Sequence, residues 1–402
     1  MIKIKLADPS IVENLHLKHF KTSVLNKINS EIQEAQNRKR LAKGKGSRIQ
    51  KEGNTNLINL LKYLKVNVEK VLIGKREDLV ELISEIEKYY YVSINKFSGI
   101  DKERKRNVDG RWTDSDFQPA MNDFVLNSSL YNHLDRKEPE SIAEFYDDLE
   151  ILKGKWQNHR KVLECIFDYD SFSEAAVGWS AYELADCLKV GVCPYCNRSF
   201  TTTLRKIDGQ GKQTRPDFDH YYPKSRYQYL GVSLYNLIPS CAVCNRSMKG
   251  TVDFYEGDAI HPYDEEFLEV ASFSTDFNYA DDDSYKFLLG QSSKFKLTFN
   301  INTTDEKLRK KVENSINAFE LERLYDSHRD IVVDIIKVSR MYTEERIKEL
   351  KDEFDYIFNN EEEVLQSVFL NYMTPENLGK RPLAKLTQDI SKELGLSIKI
   401  NK

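Results

Sequence analysis

From Leu57 to Leu72 the apolar residues Leu57, Leu60, Leu61, Leu64, Val68, Val71 and Leu72 recur at the three- and four-residue spacing of one helix face. Polar Asn54, Thr55 and Asn56 stand just ahead as candidate caps. A second amphipathic helix is predicted from Asp78, with Leu79, Leu82, Ile83, Ile86 and Tyr90 on one face. The N-terminal part therefore reads as mainly helical. Between Cys193 and about Tyr263 the pattern changes to glycines, aromatics and short alternating segments. There Ser199–Leu204 and Thr214–His220 flank Asp208-Gly209-Gln210-Gly211, which predicts a β-hairpin with a glycine-permitted turn. Further on, Phe295, Leu297, Phe299 and Ile301 alternate with polar residues as in a half-buried strand. From Asp305 helices return, and Leu321, Leu324, Tyr325, His328, Val332 and Ile335 share a stripe that makes His328 a core or boundary histidine.

Length and charge narrow the class. A chain of 402 residues predicts two or three domains. With 60 Lys and Arg against 64 Asp and Glu, no global positive field draws the whole molecule to a polyanion, so any such site is local. No run approaches the ~18 apolar residues of a spanning helix. The opening MIKIKLADPS lacks the apolar core of a signal peptide, so the expected location is cytoplasmic, with no membrane partner. The basic runs Arg38–Lys51 and Lys102–Arg106 read first as solvated faces and only second as phosphate contacts.

The chemistry is concentrated in the middle. Six cysteines are too few for a disulfide scaffold in a chain of this size, and four of them form two CxxC knuckles, Cys193/Cys196 and Cys241/Cys244, with 44 residues between them. Two knuckles complete a tetrahedral Zn²⁺ shell with no ligand position open, which is a structural site. Four buried free thiols or a redox CxxC are the competing readings, and the latter leaves the second knuckle unexplained. Between and beyond the knuckles stand Asp219, His220, Pro223, Lys224, Asn236, Asn245 and Lys249. Phosphodiester hydrolysis needs a base, a cation and groups that seat the phosphate. His220 is the one histidine between the knuckles and suits the base. Asp219 and Asn245 are hard oxygen donors of the kind Mg²⁺ takes.

The order CxxC, Asp219-His220-x-x-Pro223-Lys224-Ser225, Asn236-Leu237, Cys241-x-x-Cys244-Asn245, Lys249-Gly250 resembles the HNH endonuclease superfamily, including bacterial restriction and phage-defence members such as retron-linked and Septu-type nucleases. The resemblance covers about Cys193–Gly250. It implies an α+β fold: a central ββα-metal module over about 185–265, stapled by the four-cysteine zinc site and flanked by mainly helical regions 1–180 and 266–402. It further implies His220 as general base, Asp219 and Asn245 as ligands of a catalytic Mg²⁺ or Mn²⁺, and Asn236 as the brace of the loop bearing the base. Asn245 stands where many members carry a histidine. His261, before Pro262, is either an extra ligand or phosphate donor, or a histidine in a turn.

The window Cys193–Gly250 holds nine basic and three acidic residues, a local charge of +6 in a chain of −4. A basic island on an acidic chain suits phosphate binding, with Lys224, Arg226 and Lys249 nearest the proposed base. The expectation is thus a metal-dependent endonuclease acting on DNA. Its helical flanks are suited to an NTPase or another defence-system subunit. The rivals are a zinc module that binds nucleic acid or protein without catalysis, and a nuclease acting on RNA.

Overall fold

The computed structural model describes residues 1–44, 47–89, 159–175, 177–206, 210–268, 270–276 and 284–396. The second basic run, Lys102–Arg106, lies outside them. The fold is rich in helix with two small two-stranded sheets and a four-cysteine cluster, an α+β composition. Among the described residues no helix is long and apolar enough to cross a membrane.

The chain divides into two compact units. One comprises Asp8–Ser180 and Tyr222–Leu237. It opens with the 33-residue α1 (Pro9–Leu41), capped by Asp8, whose carboxylate accepts from the Ser10 N–H, and started by Pro9. Val12, His16, Phe20, Val24 and Ile28 recur every four residues and form the buried stripe of α1. The stripe packs on α2 (Ser47–Val66) and α3 (Val68–Ile73). The expected helix Leu57–Leu72 is broken at Asn67, whose side-chain amide caps the Tyr63 carbonyl at 2.9 Å. The helix also starts earlier than Asn54–Asn56. Thr55 is interior, its hydroxyl turned back to the Lys51 carbonyl at 2.7 Å. After α4 (Arg76–Tyr89), residues 159–166 and α5 (Tyr169–Glu174) are helical. In the first basic run Arg38 pairs with Glu31 and Glu34 along its own helix, as a solvated face does.

The segment Tyr222–Leu237 belongs to this helical unit through specific bonds. The Ser233 hydroxyl donates to the Val71 carbonyl, and Tyr235 donates to Glu13. His16 bonds the Val232 carbonyl through Nε2 at 2.7 Å and accepts the Trp179 indole N–H at Nδ1, 3.1 Å. That pair of bonds fixes a neutral imidazole with its proton on Nε2.

The other unit comprises Met1–Ala7, Ala181–Tyr221 and Ile238–Lys402, so both knuckles and the C-terminal region share one body. It begins at α6 (Ala181–Leu188). Of the expected hairpin, Leu204 and Thr214 form a single bridge with backbone bonds of 2.8 and 2.9 Å, whereas Phe200 bridges Val192; residues 207–209 of its turn lie outside the described residues. β1 (Asp217–His220) pairs with β2 (Leu237–Ser240). β3 (Ala271–Asp276) pairs antiparallel with β4 (Lys296–Ile301), Phe273 opposite Phe299. β4 realises the predicted alternation. α7 (Phe254–Gly257) precedes this sheet, and α8 (Ser284–Leu288) joins its strands. Then follow α9 (Glu306–Ala318), α10 (Leu321–Tyr325), α11 (Arg329–Met341), α12 (Glu344–Glu353), α13 (Glu361–Phe369) and α14 (Ala384–Glu393). Phe273, Leu297, Tyr325, Val332, Ile336, Leu386 and Ile390 form the core between sheet and helices.

Candidate metal centre and its neighbours

The sulfurs of Cys193, Cys196, Cys241 and Cys244 all lie within 4.8 Å of one another. Four thiolates about 2.3 Å from one Zn²⁺ stand about 3.8 Å apart. The Cys196 and Cys241 sulfurs are at 3.9 Å, too far for a disulfide and right for shared ligation. Each knuckle turns a backbone amide on its own sulfur: Arg198 N–H on Cys196 at 3.4 Å, and Cys244 N–H on Cys241 at 3.5 Å. Burial pushes the Cys193 thiol up, whereas hydrogen bonds from the other three thiols hold Cys241 well below its ordinary value. A bound divalent ion would stand in place of the thiol protons at the four sulfurs. The donor set fits zinc. Among the described residues no other group of three or more histidines, cysteines and carboxylates is close enough for one ion.

The second knuckle runs into a π-helical turn, Val243–Lys249, closed by the Gly250 N–H on the Asn245 carbonyl at 3.2 Å. In an α-helix, residues five apart stand about 140° apart around the axis, since 3.6 residues make a turn. The wider i→i+5 turn brings them nearly to one side. Cys244 and Lys249 are such a pair, and both are buried, Lys249 with its side chain 0% exposed. Its ammonium donates to Asp219 Oδ1 at 3.1 Å and to the His220 carbonyl at 2.7 Å, and lies 5.2 Å from the Phe254 ring centre.

Asp219 Oδ2 accepts a 2.6 Å bond from the hydroxyl of Tyr195, the residue inside the first knuckle. Tyr195 is fully buried and stacked on Phe319, just past α9, at 4.2 Å. Burial first, and then the Asp219 charge, push its phenol well up, so it stays a donor. Asn245 points its amide not at Asp219 but at Asp217, 3.3 Å away. Arg246 grips the same Asp217 carboxylate with two bonds of 2.7 and 2.8 Å. Burial raises the Asp217 carboxyl, but the Arg246 and Asn245 bonds outweigh it and hold the group below its ordinary value.

The two expected ligands face different partners: Asp219 is 2% exposed with a protein donor on each oxygen, and the Asn245 amide is turned to Asp217. Lys249 and Arg226 are buried, and Lys224 is half-exposed and paired with Asp170 at 2.7 Å, over the Tyr169 ring. Arg205 in the basic island is likewise tied to Glu183 and Asp186. His220 ends β1 and is 9% exposed. His261 is fully buried, its ring 4.3 Å from that of Tyr221, with Nδ1 3.3 Å from Asp264.

Comparison of the chain with protein-family models, curated proteins and solved structures finds no match.

Asn236, in the helical unit, is fully buried. Its Oδ1 accepts the Tyr222 N–H at 2.7 Å, and its amide donates to the Tyr222 and Leu230 carbonyls at 3.0 and 3.1 Å. One side chain thus closes the segment from Tyr222 to Asn236. His328 accepts from Arg198 Nε at 2.9 Å, and burial first and then this guanidinium lower its pKa. Sequence reasoning passed over Tyr195, Asn197, Asp217 and Arg246. A tyrosine enclosed by the two cysteines of a knuckle, and an asparagine directly after the second, were the signals available.

Proposed function

We propose that the chain is an HNH-type endonuclease that hydrolyses phosphodiester bonds in DNA and carries zinc in its four-cysteine centre. The observation that carries this reading is the grip on His220. Its carbonyl is held by Lys249, from the same turn that bears Asn245 and completes the cysteine cluster. In the proposed reaction His220 takes a proton from water, hydroxide attacks phosphorus in line as the bond to the 3′-oxygen breaks, and that oxygen takes a proton from solvent, giving 5′-phosphate and 3′-hydroxyl ends. Arg246, with a side chain 70% exposed, bonds Asp217 through Nε and Nη2 and seats a backbone phosphate through its remaining Nη1. The proposed setting, bacterial anti-phage defence or restriction, rests on the sequence resemblance alone.

The test is incubation of the purified protein and its His220→Ala variant with plasmid, single-stranded DNA and RNA, in Mg²⁺, Mn²⁺ or EDTA. Cleavage by the parent alone, with zinc content and folding equal in both, supports the reading; undiminished cleavage by His220→Ala overturns it. The EDTA arm reports whether a second divalent ion takes part. A non-catalytic zinc-dependent binding module is the second reading, favoured by the closed Asp219–Lys249 pair. Binding of nucleic acid with no cleavage in any buffer would select it.

A further inference from the structure

The buried carboxylate of Asp219 has two side-chain donors, and each comes from a different knuckle. Tyr195 lies between the two cysteines of the first, at 2.6 Å. Lys249 lies five residues beyond the last cysteine of the second, at 3.1 Å. Neither donor has freedom to spare. Tyr195 is stacked on Phe319, and the Lys249 side chain is wholly enclosed, so its ammonium cannot reach water by extending. A buried carboxylate left with one donor, or a buried ammonium left with none, is strongly disfavoured. Both donors are tied to the cysteine cluster by short stretches of backbone: Tyr195 stands between Cys193 and Cys196, and Lys249 ends the turn that carries Cys244. The same ammonium fixes the carbonyl of His220.

We propose that Tyr195 and Lys249 are positioning residues that couple the four-cysteine centre to the Asp219–His220 end of β1, so that ion occupancy of the cysteines governs the placement of His220. The importance of His220 rests on the nuclease reading, whereas the coupling does not. Coupling is reciprocal: if the ion orders the Asp219 contacts, those contacts retain the ion. Loss of either contact therefore weakens zinc binding, and among variants of one site such a loss appears mainly as faster release.

The experiment measures zinc release from the full chain into excess chromogenic chelator. The variants are Tyr195→Phe, which deletes one hydroxyl, Lys249→Met, and Lys311→Met as a control. Lys311 is a buried lysine of the same unit paired with Glu265 at 2.7 Å, remote in sequence from either knuckle. The expected result is release at least tenfold faster in Tyr195→Phe and Lys249→Met, and within twofold of the parent in Lys311→Met, compared at equal distance below each protein's Tm. If Lys249→Met does not yield folded protein, Tyr195→Phe carries the test alone. Release within twofold of the parent in Tyr195→Phe overturns the coupling, as does equal acceleration in all three, which would track general stability. A parent that cuts no nucleic acid would remove the nuclease reading and leave these rates meaningful.

Discussion

Two buried lysine–aspartate pairs in the same unit do different work. Lys385 and Asp389 lie one turn apart on α14, the ammonium 2.7 and 2.6 Å from the two carboxylate oxygens and 3.0 Å from the Leu268 carbonyl. Asp389 also accepts the Phe273 N–H of β3 at 2.9 Å, so the pair docks a helix on a sheet edge. Burial lowers the Lys385 pKa and raises that of Asp389, each opposed by the partner's charge. Lys249 and Asp219 are 30 residues apart, on a π turn and a strand, and their third and fourth partners are Tyr195 and the His220 carbonyl. The first pair is local and completes a core. The second joins a turn and a strand distant in sequence, so its loss reaches both the candidate metal centre and a candidate base.

Breaking the common scaffold has the largest effect. Cys193→Ser removes a ligand of a site whose binding energy is folding energy, and loss of zinc together with soluble folded protein is expected, read by metal analysis and circular dichroism. Next come the pairs themselves. Lys249→Met and Lys385→Met each strand a buried carboxylate, with an expected cost of about 3–5 kcal/mol in urea unfolding. A double replacement, Asp389→Asn with Lys385→Met, restores much of the second loss because it leaves no uncompensated charge.

The helical unit sharpens the contrast, since its buried polar groups include neutral imidazoles. Burial lowers the pKa of His16 and His159 from 6.5 to about 4 in each case. The unfolded chain binds the proton more readily, so this contribution is complete above about pH 6.5 and is lost as pH falls toward 4. A loss of about 2 kcal/mol per histidine is expected by pH 5, visible as lower amide protection factors in α1 peptides around His16, with the slower intrinsic exchange at low pH divided out. The smallest effect is at the surface. Arg246→Ala gives up an ion pair whose arginine is 70% exposed and should change stability by less than about 1 kcal/mol. The same change should weaken DNA binding measurably at low salt if Arg246 seats a phosphate.

Much of this arrangement was legible in the chain. The CxxC spacing gave the cluster, and the three- and four-residue periodicity gave α2, α3 and α4. The fate of the charged residues was not legible. Lys249 reads as a surface cation because burial of an ammonium is costly, and only partners far away in sequence, Asp219 and the His220 carbonyl, reverse that cost. Asp219 reads as an open ligand until Tyr195 is seen on its second oxygen. The π turn had no signature either, because one residue of extra winding leaves composition unchanged. Nor did local pattern reveal that Tyr222–Leu237 packs with the N-terminal helices, which Ser233 and Tyr235 decide through single long-range bonds.

Asn197, directly after the first knuckle, holds a left-handed backbone with φ of 53°. Its amide donates to the Leu378 carbonyl at 2.9 Å, its side-chain oxygen accepts the Lys385 N–H at 3.0 Å, and its own carbonyl accepts the Leu383 N–H at 2.6 Å. During synthesis this asparagine must wait for some 180 further residues before those partners exist, which at about 5–20 residues per second is roughly ten to forty seconds. Zinc can gather the four cysteines as soon as Cys244 has emerged, but the outer support of the first knuckle arrives only with α14. The nascent chain therefore carries all four cysteines, free to gather an ion, while the C-terminal brace of the first knuckle is still missing.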